Sequence, residues 1–389
     1  MSERAAQLRK EGRSIISFAL GEPDFDTPAL VNLAAIAAIE QGQTRYTATA
    51  GTPALRQAIV DKLLRENGLV YAPNEIIVTC GAKHAIFNAL AVTLNPGDEV
   101  IVPAPYWVSY PDMAIACDGV PVILSCDEAS GFTIDAVELE RAITPRTKWL
   151  ILNAPSNPTG ATYSVEQLRA VAQVLMRHPQ VLLMMDDIYE HIRFDLTPGH
   201  IAHHILQIEP ALRDRTVVIN GVSKTYAMTG WRIGYAAAPK DIVQAMDVLQ
   251  SQSTSNASSI SQAAAMAALN GPQDVVRQWA QVYQERLDAA VLALSAIPGL
   301  SVRRPGGAFY LFVNCKGLIG RRTSRGQTLN SDTDVALFLL EFAGVAVLAG
   351  SAFGLSPYLR LSIATEMKLI LAGCSQIADA VSTLTCVCD

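Results

Sequence analysis

The chain has 389 residues, half of them apolar, with 30 basic and 36 acidic side chains and a formal net charge of −6. That length exceeds one compact core of roughly 100–200 residues, so two domains are expected, and the composition excludes disordered and fibrous classes. No polybasic block is present, which argues against nucleic acid or an anionic membrane surface as a partner.

The N-terminal stretch "MSERAAQLRKEGR" is charged and has no apolar signal-like region, and no apolar run approaches the roughly 18 residues that span a bilayer. A cytoplasmic, soluble protein is the expectation. A helix here, ahead of "SIISFAL", is expected to pack with the C-terminal part of the chain. Then short β-branched runs alternate with helical patterns: "EIIVT" and "AIFNALAVTL", "EVIVP" and "YWVSYPDMAIA", "KWLILN" and "VEQLRAVAQVLM", then "VLLMMD" and "TVVIN". Such alternation predicts a mostly parallel sheet with helices on both faces, and the continuous apolar runs predict strands buried on both sides. Past Gly271 the pattern changes to one long helix, then "GAFYLFV", a helix near 333–342, "VAVLA", "YLRLSI" and a last helix, an α+β segment. The polar stretch "KGLIGRRTSRGQTLNSDTD" reads as an exposed loop. The seven cysteines are scattered, without zinc-like pairing, and read as reduced thiols; Cys386 and Cys388 are the one close pair.

Ligands of open α/β sheets gather at the carboxyl ends of the strands. After "EIIVTC", Gly81-Ala82-Lys83 opens a helix, whose free N–H groups and dipole suit an anion. After "EVIVPAP" stands Trp107, an aromatic plane that alone would read as core. After "KWLILN", Asn153 and Asn157 sit in a Pro-stiffened turn. Asp186 ends an apolar run with Tyr189 three residues on; a buried acid there calls for a cationic partner. After "TVVIN" comes "NGVSKTYAMTGWRIG", with Lys224 among small residues and Arg232 eight residues later. Together these supply a phosphate cradle with an arginine, a plane for a ring, a carboxylate for a protonated ring nitrogen and a lysine for an aldehyde, the needs of pyridoxal 5′-phosphate.

"NGVSKTYAMTGWRIG" also resembles the cofactor attachment motif of class I pyridoxal-phosphate-dependent aminotransferases. "LGEPDFDTP", "EQGQTRYTATAGTPALRQAI", "PAPYWVSYPDM", "NAPSNPTGA", "DDIYEH" and "LRLSIAT" resemble the bacterial aspartate aminotransferase branch of that family, in the family's order and over nearly the whole chain. The resemblance implies an α/β fold of fold-type I: a mostly parallel seven-stranded sheet flanked by helices over residues 28–280, and a smaller α+β domain built from residues 1–27 and 281–389. It implies that Lys224 is the Schiff-base lysine, that Arg232 and the Gly81–Lys83 turn hold the phosphate, and that Asp186 keeps the ring nitrogen protonated. Tyr189 and Asn157 would contact the ring 3′-oxygen, and Trp107 would stack on the ring. Tyr46 would reach the phosphate of a neighbouring subunit, so a homodimer is implied. Arg360 would take the substrate α-carboxylate, with Gly21, Asn157 and Trp107 beside it, and Lys83 would help hold a distal carboxylate.

The function implied is transfer of the amino group of L-aspartate to 2-oxoglutarate through pyridoxamine phosphate. An aromatic or prephenate aminotransferase and a C–S β-lyase of the same fold are the alternatives. A nicotinamide enzyme would need a GxGxxG turn, which the sequence lacks. Members of this branch usually carry a longer N-terminal arm that plugs the site, so the expectation here is that the arm is missing or that the start is assigned late. His200, His203 and His204 have a spacing that could ligate a metal, but no cysteine or carboxylate completes the set, and a surface helix start is expected instead.

Overall fold

The computed structural model describes residues 2–195 and 203–385. The chain opens with helix Ser2–Lys10 and the short strand β1 (Ile16–Ser17). A seven-stranded sheet follows, made of β2 (Ile76–Thr79), β3 (Glu99–Ala104), β4 (Val120–Ser125), β5 (Thr147–Asn153), β6 (Leu182–Asp186), β7 (Thr216–Gly221) and β8 (Gly234–Ala237). Its order is β2-β8-β7-β6-β5-β3-β4; β3 to β7 run parallel and β8 is antiparallel to both β2 and β7. Alternate residues of a strand feed separate cores. Ile76, Ile101, Leu150, Leu183 and Val218 belong to one apolar cluster, whereas Ile77, Val100, Ile151, Met184 and Ile219 belong to another. This explains why the strands read as unbroken apolar runs.

The crossover helices form where caps and periodicity agree. Helix Val165–Arg177 begins at Ser164, whose Oγ accepts from the Gln167 N–H at 3.3 Å while Gln167 Oε1 accepts from the Ser164 N–H at 2.9 Å. Leu168, Val171, Ala172 and Leu175 make its buried stripe.

The remaining strands are β9 (Ser301–Val302), β10 (Tyr310–Asn314), β11 (Val345–Ala346), β12 (Leu348–Ala349) and β13 (Tyr358–Ser362). β12-β13-β10-β9 form an antiparallel sheet, and β1 pairs in parallel with β11. Helices Asp274–Ser295 and Met367–Ser382 bury Leu287, Leu294, Ile370 and Ile377 in a cluster shared with Phe18, Leu311 and Leu361. The N-terminal helix packs here as expected, with Leu8 against Leu340 and Ala346 and Arg4 bridging to Glu341 at 3.1 Å.

Two expectations need correction. "VAVLA" is two strands rather than one, because residues 345–346 pair with the N-terminal strand and residues 348–349 with β13. The stretch read as an exposed loop is anchored: Leu318 and Leu329 are fully buried, and Arg322 bridges to Thr328 and Thr385.

Candidate active site

The carboxyl ends of the central strands open on a cleft of about 520 Å³, whose lining includes Gly21, Ala82, Lys83, Trp107, Asn157, Asp186, Tyr189, Lys224, Arg232 and Arg360. Residues scattered over 340 positions thus meet because β2, β3, β5, β6 and β7 all end on one side, while β13 brings in Arg360.

Asp186 is the last residue of β6 and is buried. Its Oδ2 accepts from the Tyr110 hydroxyl at 2.5 Å and its Oδ1 from the Ile188 N–H at 3.3 Å. Burial pushes its pKa up to about 6, a shift that these hydrogen bonds and nearby Lys224 only partly offset. A protonated nitrogen in the cleft would be the missing cation. Asn153 Nδ2 donates to the Asp186 carbonyl at 2.8 Å and its Oδ1 accepts from the Asn157 N–H at 2.9 Å, so the turn after β5 is pinned to the end of β6.

The anion cradle rests on glycine. Gly81 has φ +89°, and a Cβ there would stand 2.3 Å from Arg232 Nη2; a Cβ on Gly234 would stand 2.1 Å from the Ala82 nitrogen. No side chain caps helix Ala82–Thr93, so its first N–H groups face the cleft beside the Arg232 guanidinium. Arg232 itself holds a left-handed φ of 57° and donates to the carbonyls of Thr229 at 3.0 Å and Cys80 at 3.2 Å. Strained backbone of this kind persists where a site needs it. These features fit a phosphate, and with Asp186 and Lys224 they fit pyridoxal 5′-phosphate.

Lys224 Nζ donates to the Gly21 carbonyl at 2.5 Å. Burial, aided by the positive Arg232 and Arg360 and opposed by Glu22 and Asp186, lowers its pKa to about 8. The amine is therefore partly uncharged near neutrality, as a nucleophile must be. Trp107 lies under the Lys83 ammonium, 4.7 Å from its ring centre, and edge-on to Tyr110. Arg360 lies between Tyr310 and Phe353, 4.6 and 4.9 Å from their ring centres. Its Nη1 donates to Asn157 Oδ1 at 3.0 Å and its Nη2 to the Ala19 carbonyl at 2.7 Å, while its buried Nε has no partner among the described residues.

Tyr46 does not join the cleft; it is 90% exposed and lies beside a separate hollow with Arg45 and Gln262. Tyr189 turns its hydroxyl to that of Tyr310 at 2.9 Å. Three contributors escaped the sequence reading of the site. Tyr110 lies in the "PYWVSYPDM" motif, three residues past Trp107, where a helical turn brings the two together. Tyr310 carried no local signal, because "GAFYLFV" reads only as a strand, and Phe353 lies outside the motifs read for the site. Of the histidines, His203 is exposed and His204 is not at the surface: it is buried, its Nδ1 caps the Leu206 N–H at 3.1 Å and its Nε2 meets Asp187 at 3.2 Å. His200, Cys386 and Cys388 lie outside the described residues.

The aminotransferase class I and II family matches residues 13–377. An aspartate aminotransferase of Rhizobium meliloti (strain 1021) is 51% identical over 99% of this chain and 92% of its own. An aspartate/prephenate aminotransferase of Cereibacter sphaeroides is 49% identical over 97% of this chain and 94% of its own. The crystal structure of the aspartate aminotransferase from Rhizobium meliloti superposes with a TM-score of 0.96 at 51% identity, covering 99% of this chain and 95% of that one. The Thermus thermophilus aspartate aminotransferase with maleate gives 0.89 at 39% identity, covering 97% and 95%.

Proposed function

The chain belongs to the class I and II aminotransferases, and from that premise we propose that it moves the amino group of L-aspartate to 2-oxoglutarate, giving oxaloacetate and glutamate, with pyridoxal 5′-phosphate in the cleft. When bound, the cofactor supplies an aldehyde for the lysine amine and a ring that takes up the electron pair left when a Cα–H bond breaks. Gly81, Ala82, Lys83 and Arg232 would receive the phosphate, Asp186 would hold the proton on the ring nitrogen, and Trp107 would supply the aromatic plane beside the ring. Asn157 and Tyr189 receive the ring oxygen. With the cofactor bound, Lys224 Nζ would take up the Cα proton and give it back at the carbon that had been the aldehyde, across the amino nitrogen.

One observation carries this reading: the buried Arg360 stands in the same cleft as Lys224, with two of its donors engaged and Nε free. A guanidinium has five N–H donors, so a fork remains for an α-carboxylate. The neighbouring main chain at Gly21, together with Asn157 and Trp107, completes the substrate's bed, and fixing the carboxylate aligns Cα–H with Lys224. We assign residues 28–280 to the cofactor-binding domain and residues 1–27 and 281–389 to the smaller one, which contributes Arg360. The active unit is a homodimer in which Tyr46 of the partner subunit completes the phosphate site; its exposure in the single chain supports this. Among the described residues no helix is long and apolar enough to cross a membrane, and we place the enzyme in the cytoplasm.

A second reading, an aromatic or prephenate substrate, draws support from Val108, Leu348 and Phe353, which add apolar side chains to the lining of the cleft. Steady-state rates with 2-oxoglutarate as acceptor separate the two. A kcat/KM for aspartate well above that for phenylalanine supports the first reading, and the reverse order replaces it with the second.

A further inference from the structure

Lys224 sits in a turn rather than a strand, so its place relative to Asp186 and Tyr189 is set by contacts behind the cleft. Directly after Tyr189, Glu190 and His191 supply two such contacts. Asn220 Nδ2 donates to Glu190 Oε1 at 2.6 Å, and His191 Nδ1 meets Thr225 Oγ1 at 3.1 Å. Asn220 precedes the lysine turn and Thr225 follows Lys224 at once, so the two contacts bracket it.

Helix Pro53–Asn67 holds this pair from the other side. The buried Lys62 pairs with Glu190 and donates to Asn67 Oδ1 at 2.8 Å, and Asn67 Nδ2 donates to Glu190 Oε2 at 2.7 Å. Glu66, itself paired with Arg65 at 2.6 Å and 3.5 Å from Lys62, lies with its Oε2 2.9 Å from His191 Nε2. A carboxylate only accepts, so Nε2 donates to Glu66, while Nδ1 lies 3.7 Å from Glu190 Oε1 and faces the Thr225 hydroxyl, which can either donate or accept. Glu66, Glu190 and His191 stand close enough to suggest a cation site. Lys62 already places its charge between the two carboxylates, so the group is a clamp.

We propose that His191 and Thr225 are positioning residues which, with Glu190 and Asn220, lock the Lys224 turn to the segment bearing Asp186 and Tyr189 and so fix where Nζ stands over the cofactor. This rests on the assignment of Lys224 to pyridoxal 5′-phosphate. Neither residue lines the cleft; both act through their neighbours.

Thr225→Val keeps the shape and removes the hydroxyl, whereas Thr225→Ser keeps the hydroxyl. Wild type and both variants, loaded with pyridoxal 5′-phosphate, are compared by pH titration of the lysine-linked visible band, by kcat and KM for aspartate, and by thermal midpoint. In Thr225→Val the titration midpoint is expected to move by about half a pH unit or more. Its kcat falls about ten-fold, with KM within about two-fold, as displacement of a reacting group requires. Thr225→Ser restores both. A Thr225→Val enzyme with unmoved midpoint and unchanged kcat overturns the proposal, whatever its thermal midpoint. If Thr225→Val does not fold, His191→Gln read in the same way decides. Absence of any lysine-linked band in the wild type overturns the underlying cofactor assignment and this proposal with it; a normal wild-type band with an unaffected variant overturns this proposal alone.

Discussion

At the scale of single residues, the cleft places groups where their charged forms are uncomfortable. Lys224 is lowered to about 8 by burial and its positive neighbours, so in the cofactor-free protein its ammonium destabilises the fold. The sign follows from linkage: the penalty is absent above the ordinary lysine range, grows as pH falls from about 10.5 to 8, and is complete below that. Lys224→Met should therefore make the cofactor-free protein more stable at pH 7 by up to about 3 kcal/mol, with the gain vanishing as pH rises toward 10.5. Urea melts of both proteins at pH 7 and pH 10 check this, and equal stability at pH 7 counts against it. Arg360 tests orientation. Lysine cannot reproduce a planar fork wedged between two rings, so Arg360→Lys should lower kcat/KM for aspartate about 100-fold or more. Steady-state kinetics read this directly, and a loss below about three-fold would remove Arg360 from carboxylate binding.

At the scale of elements, the lysine turn depends on a helix remote in sequence. Lys62→Met leaves Glu190, whose side chain is only 13% exposed, without its lysine, which should destabilise the protein by about 3–5 kcal/mol, while Lys62→Met with Glu190→Gln should recover much of the loss. Denaturant midpoints of the single and double variants decide; a single variant as stable as wild type would show that Lys62 does not neutralise Glu190. Such pairings were not legible in the sequence, because Lys62, Glu190, His191 and Thr225 carry no mutual spacing signal. What was legible is the set of parallel strands whose apolar runs record burial on both faces, and the residues at their carboxyl ends. The strand Gly234–Ala237 went unread as a separate run because "GYAA" has little β character; its glycine is there to meet Ala82 closely. Tyr310 and Phe353 flank Arg360 only through the packing of β10 and the turn after β12, which no local pattern encodes.

At the scale of the whole molecule, Phe18 and Leu384, far apart in sequence, share a core with Leu359 and Leu361 on either side of Arg360, and Lys224 stands in the turn after β7 of the other sheet, so a substrate held by both would bridge the two parts. The exposed Tyr46 extends the same logic to a second copy of the chain. Tyr46→Phe should weaken cofactor retention and Lys224→Ala should abolish turnover, and mixing the two subunits should regenerate activity in hybrid dimers, where one site carries Lys224 with an intact Tyr46 across the interface. Assay of refolded mixtures measures it, and activity no higher than the sum of the parent homodimers would exclude a shared site. The central claim, aspartate transamination, is tested most directly by the visible spectrum of the protein loaded with pyridoxal 5′-phosphate. L-Aspartate alone should bleach the lysine-linked band, and 2-oxoglutarate added afterwards should bring it back; a band that aspartate leaves untouched would contradict the account.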